Sequence, residues 1–169
     1  MMRLVLVFGL GAAALAASGC PPRHAPAAGL GPYSEDPDAE RAFKAAVELF
    51  EAGSLSDADA AFAAFANDYG DDPLYGSAIV YRARIAVEQG APRTALALCA
   101  SLEGAAVDKV TSERARFYEG VAAAAAGEHA RAVDLLKPFL GALTEPAENE
   151  TLLSSLWRAA SALGDLGRA

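Results

Sequence analysis

Basic residues are in short supply in this chain. Fourteen Lys and Arg face 22 Asp and Glu, leaving a net charge of −8 over 169 residues. A surface that tracks nucleic-acid phosphates needs the opposite balance, so no nucleic-acid partner is expected. Sulfur is equally sparse. There are two cysteines, Cys20 and Cys99, and neither belongs to a CxxC pair. The sequence also has no Gly-rich phosphate loop and no HExxH, so no metal, cofactor or catalytic residue is implied, and a non-enzyme is expected. Aromatic residues make up only 8% of a chain that is 53% hydrophobic. Alanine fills much of the difference, and with Val, Ile, Thr and Tyr not abundant, this mix favours closely packed helices over a β-sandwich.

Long hydrophobic runs are missing except at the start. Leu4–Ala17 is apolar behind a single basic residue, Arg3. It is shorter than the roughly 20 residues that a helix needs to span a bilayer, and it fits a cleavable secretory signal. The segment closes on "ASGC", Ala17 to Cys20. Small residues before a cysteine resemble a bacterial lipobox. That resemblance implies a lipoprotein signal peptide over 1–19 and an acylated Cys20 as the mature N-terminus. Removing 1–19 takes away one charge, Arg3, and moves the net charge from −8 to −9. Pro21 follows Cys20 where an inner-membrane retention signal would place Asp, which implies the outer membrane, with the chain facing the periplasm. Cys99 is then left without a partner and reads as a small buried hydrophobe in "TALALCASL".

Residues 20–37 form the next region. Five of the nine prolines fall within 21–37, which reads as an extended tether reaching up to about 50 Å at about 3.1 Å per residue. From residue 38 to 169 the pattern changes to apolar residues spaced three and four apart, with short polar breaks. Gly53, Gly90, Gly127 and Gly164 are spaced 37 residues apart. Five residues after each stands an alanine: Ala58, Ala95, Ala132 and Ala169. Seven before the first three stand Ala46, Ala83 and Gly120. A fixed period in this range signals stacked units. Each unit reads as helix, glycine turn, helix, with the small residues where the two helices approach. The spacing predicts helices near 38–52, 56–68, 73–89, 92–103, 112–126, 130–142 and 147–163. Pro138 is expected to kink the sixth, and Ser56 with Asp59 to form a capping box for the second. Asp71, Asp72 and the acids of "EPAENE" read as helix-start residues.

The turn glycine, the alanine five residues on and the small residue seven before resemble the tetratricopeptide repeat. The resemblance implies an all-α, right-handed solenoid of helical hairpins, here about three and a half repeats of 37 residues. The stretch "FAAFANDYGDDPLYGSAIVYRARIA" is also similar to envelope lipoproteins of the barrel-assembly and Tol–Pal-coordinator type, through Phe62, Phe65, Tyr69, Pro73, Tyr75 and Ala78. In such folds the first helix of each pair lines a concave groove. Carried over by register, the expected lining is Phe43, Val47 and Phe50; Val80, Arg84 and Val87; Phe117 and Val121; and Arg158 with Ser154 and Ser161. The function implied is a membrane-anchored periplasmic scaffold that binds a protein or peptide in cell-envelope assembly, whether of outer-membrane proteins or of peptidoglycan. The alternatives are the N-terminal accessory region of a longer penicillin-binding-protein activator or cell-wall enzyme, and a solute-binding lipoprotein. The fourth unit supplies a first helix and a turn only, and that helix carries Leu152, Leu153, Leu156, Trp157 and Leu163. The repeat domain is therefore expected to be cut short at its C-terminus.

Overall fold

The computed structural model describes residues 32–166. Cys20, the expected leader, residues 20–31 of the expected tether, and Ala169 lie outside the described residues. Those described form seven α-helices and one 3-10 turn, with no strand among them. Helix α1 spans Pro37–Glu51, α2 Leu55–Asp68, α3 Tyr75–Glu88, α4 Pro92–Ala100, α5 Lys109–Ala126, α6 His129–Leu136 and α7 Pro146–Leu166. Each helix packs on the next in sequence, and α5 packs on both α3 and α7 as well. The described chain is thus all-helical, with helices packed on their sequence neighbours and α5 bridging α3 and α7.

Three turns repeat at atomic detail. Gly53, Gly90 and Gly127 take left-handed φ angles of 77°, 72° and 85°. After each, the next N–H donates back to the carbonyl five residues earlier: Ser54 to Leu49 at 3.0 Å, Ala91 to Ala86 at 2.8 Å and Glu128 to Ala123 at 2.9 Å. This bond satisfies a carbonyl that the helix end leaves free, and the left-handed residue that makes it possible is cheap only as glycine. The helices then meet on small residues. Ala46, Ala83, Ala58, Ala95 and Ala132 are fully buried. At Gly120 a Cβ atom would come within 2.7 Å of the Leu136 side chain, so only glycine lets α6 approach α5 this closely.

Four expectations are corrected. Gly164 forms no turn: it lies inside the uninterrupted 21-residue α7 and has no positive φ. Nothing in its vicinity forces a bend, since a Cβ there would meet nothing within 4 Å. Pro138 does not kink a helix. α6 stops at Leu136 and the chain passes into a 3-10 turn over Lys137–Phe139, because proline donates no N–H to continue the ladder. Ser56 caps nothing: α2 has already begun at Leu55, and Asp59 accepts from Arg82 Nε at 2.9 Å, tying α2 to α3. The tether ends earlier than residue 37. Pro37 is the first helical residue of α1, and the Asp36 carboxylate caps it by accepting from the Asp38 N–H at 2.8 Å. Just before it, the Ser34 hydroxyl donates to Asp72 at 2.5 Å, so residues 32–36 lie as a strap against the α2–α3 loop.

The core has two main parts. Between α1, α2 and α3, Phe43 packs edge-on against Phe62, Phe65 and Tyr81, while Phe62 and Tyr81 stack with centroids 4.8 Å apart. Rings in these arrangements add about 0.5–1.5 kcal/mol per pair beyond the area that they bury. From α3 onward the core is mostly aliphatic, with Phe117 set edge-on to both Tyr118 and Phe139.

Candidate binding cleft

One depression of about 460 Å³ is lined only by odd-numbered helices and the residue that leads into α7. Glu51 comes from the end of α1, Val80, Tyr81 and Arg84 from α3, Arg114 and Tyr118 from α5, and Glu145, Ala147 and Glu148 from the entry to α7. Two smaller hollows adjoin it. One, of about 140 Å³, shares Arg84, Tyr118 and Glu148 and adds Val87 and Thr151. The other, of about 180 Å³, shares Arg114 and Glu148 and is walled by Phe117, Phe139 and Leu143. Together they make a strip across α3, α5 and α7 with charged groups at its centre and apolar hollows to either side.

The two arginines in the strip are held differently. The Arg84 guanidinium lies over the Phe50 ring, 4.6 Å from its centroid, and its Nε donates to Glu88 at 3.0 Å. Burial works against its charge, but Tyr118, Glu88 and Tyr81 together hold its pKa above the ordinary value. Arg114 is exposed and makes no ion pair among the described residues. Tyr118 is 6% exposed. Burial pushes its phenol up to about 12, with Glu148 adding to the rise while Arg84 and Arg114 oppose it. The cleft therefore offers a neutral phenol, one arginine held by Glu88 and Phe50 and one exposed arginine, and the carboxylates Glu51, Glu145 and Glu148. These groups suit polar recognition, and their arrangement provides no nucleophile with a base beside it.

The positions carried over from the repeat resemblance land unevenly. Arg84, Val80 and Val87 line the strip. Phe117 is 2% exposed and belongs to the core, because Phe139 covers it from the turn after α6; only its edge reaches the small apolar hollow. Val121 is buried in the same core. Phe43 and Val47 are half-buried against the first aromatic cluster, and Phe50 lies under Arg84. Arg158 is exposed on α7 but lines none of the three hollows. Tyr81, Tyr118, Arg114 and Glu148 were not among those positions. Tyr81 and Tyr118 are 37 residues apart, so the repeat carried a signal for them one residue away from the assigned site.

A second, larger depression of about 680 Å³ lies under the strap, between Tyr33, Glu35 and Asp36 on one side and Asp71, Asp72 and Asp108 on the other. Its carboxylates are largely engaged within the chain. Asp36 caps α1, and Asp72 accepts from Ser34 and from the Leu74 N–H. Asp108 caps α5 by accepting from the N–H groups of Val110 and Thr111. Burial would raise the Asp108 pKa, but the hydrogen bonds from Thr111 and Val110 outweigh it and hold the carboxyl low. Asp36 and Asp108 thus build helix starts, whereas Asp72, expected to do so, caps none: α3 begins at Tyr75 with Leu74 at its N-cap and no side-chain cap bond. Cys99 is buried, and burial with the charge of Glu119 pushes its thiol up to about 12. It is inert at physiological pH. Among the described residues no group of three or more His, Cys, Asp or Glu is arranged to hold a metal.

Compared with protein-family models, with curated proteins and with solved structures, the chain matches none.

Proposed function

We propose that the chain is a tetratricopeptide-like right-handed solenoid that serves as a lipid-anchored, periplasm-facing protein-binding scaffold of the outer membrane, acting in cell-envelope assembly. The observation that carries the binding role is the cleft to which every odd-numbered helix or its flank contributes and no even-numbered helix does. A stack of hairpins presents one such surface by repetition, and a strip with charges at its centre and apolar hollows beside it suits an extended or helical peptide segment. The three identical glycine turns and the paired small residues support the repeat reading. The short apolar run ending in "ASGC" supports the anchor. On this reading lipid sets location, the tether sets reach, and the cleft recruits a protein whose effective concentration the anchor raises.

The test is a photo-crosslinking residue placed at Arg114, inside the cleft, and separately at Arg93, exposed on α4. A protein partner crosslinks from position 114 and not from 93. With that partner in hand, Arg114→Glu weakens binding by about 1–3 kcal/mol. Equal crosslinking from both positions would overturn the assignment of the cleft.

A further inference from the structure

Among the described residues, three of the six exposed large hydrophobic side chains, Leu153, Trp157 and Leu163, lie on α7. Leu153, Trp157, Ala160 and Gly164 recur at spacings of four, three and four, so they form one stripe along the helix. All four are exposed, Trp157 to 74% and Leu153 to 58%. Trp157 stands 37 residues after Gly120 and 74 after Ala83. At those earlier positions the side chain is small and buried under the second helix of its hairpin. A hairpin-type return onto α7 is therefore blocked twice. A single Cβ at Gly120 would already come within 2.7 Å of Leu136, so an indole at the same register admits no helix at that distance. Gly164 is also helical, so α7 does not turn where its predecessors do.

The stripe instead complements itself. Read along α7 it runs large, large, small, small. We infer that this face is the interface for a second copy of the chain, with the two α7 helices packed antiparallel about a two-fold axis passing between Arg158 and Ala159. That axis sets Trp157 against the partner's Ala160, and Leu153 against the partner's Gly164, where a Cβ would meet open space. Each large side chain thus finds a small one in an isologous contact. A parallel pairing would set the tryptophans against each other and leave the small residues unfilled. One helix face buries less than the roughly 800 Å² per partner of a standard interface, which makes the dimer weak and reversible.

Trp157 is the only tryptophan in the sequence, so its fluorescence reads this face alone. The full chain in density-matched detergent is followed by sedimentation equilibrium and by Trp emission over the same concentrations. The expected result is a monomer–dimer equilibrium accompanied by a shift of the emission to shorter wavelength. Gly164→Glu, which leaves the tryptophan in place, weakens association about tenfold or more and returns the emission to its exposed value. Ala160→Cys crosslinks between copies through a short bismaleimide, while Lys44→Cys on α1 does not. A monomer with exposed Trp emission throughout overturns the inference. So does a monomer with buried emission, which would mean that the chain covers this face itself. A dimer unaffected by both Gly164→Glu and Trp157→Glu overturns it as well.

Discussion

Tyr118 lies where the core meets the cleft, and its protonation reports on both. In the fold burial holds the phenol neutral up to about 12, against an ordinary value of 10.0. The folded chain keeps a proton that the unfolded chain releases near pH 10. Its contribution to stability is therefore complete below pH 10 and is lost as pH rises through about 12. The Cys99 thiol acts in the same direction from an ordinary 9.0 to about 12. Each corresponds to about 3–4 kcal/mol across its window. Denaturant melts of wild type and Tyr118→Phe, from neutral pH up to pH 12, test this. The variant should lose about 2 kcal/mol less than wild type over that range, and parallel curves for the two proteins would show that Tyr118 ionises freely in the fold.

At the scale of the element, glycine separates the helices that turn from the one that continues. Gly127 has φ 85°, where an alanine is strained, so Gly127→Ala costs about 1–2 kcal/mol. Gly164 sits in a helix with open space where a side chain would go, so Gly164→Ala gains up to about 1 kcal/mol from helix propensity. Thermal melts of the two variants should move in opposite directions, and a melting temperature lowered by both would restore Gly164 as a turn. The three true turns were legible because a left-handed residue calls for glycine, and repetition at 37 residues makes the demand visible. A second register went unread. Gly104 and Gly141, also 37 residues apart, take φ 78° and 76° between one hairpin and the next. The first unit has Asn67 at that place, inside α2, which breaks the pattern. The cleft was legible only in part. Tyr81 and Tyr118 face it, while the assigned Phe117, one residue earlier than Tyr118, is turned into the core by the 100° step of the helix.

For the whole molecule, charge and attachment matter together. On the proposed reading, removal of residues 1–19 leaves a net charge of −9, which repels an anionic surface, so the acyl group on Cys20 would carry the attachment. Among the described residues no helix is long and apolar enough to cross a membrane. Cys20→Ala is expected to release the chain from the membrane fraction or to trap the uncleaved precursor. Fractionation with mass spectrometry of the N-terminus checks this, and a processed protein with an unmodified Cys20 would refute the anchor.

The strap at residues 32–36 would give the proposed tether a mechanical character. Tension on Pro32 falls first on the Ser34–Asp72 hydrogen bond, then on the Asp36 cap, and only afterwards on α1. The contacts are loaded in series, so the strap peels open under a weaker force than would be needed to shear a hairpin. Peeling five residues pays out about 17 Å of chain, and none of the strap residues lines the cleft on α3, α5 and α7. On the proposed reading, a pull from the lipid anchor would be taken up by the strap before it reaches α1.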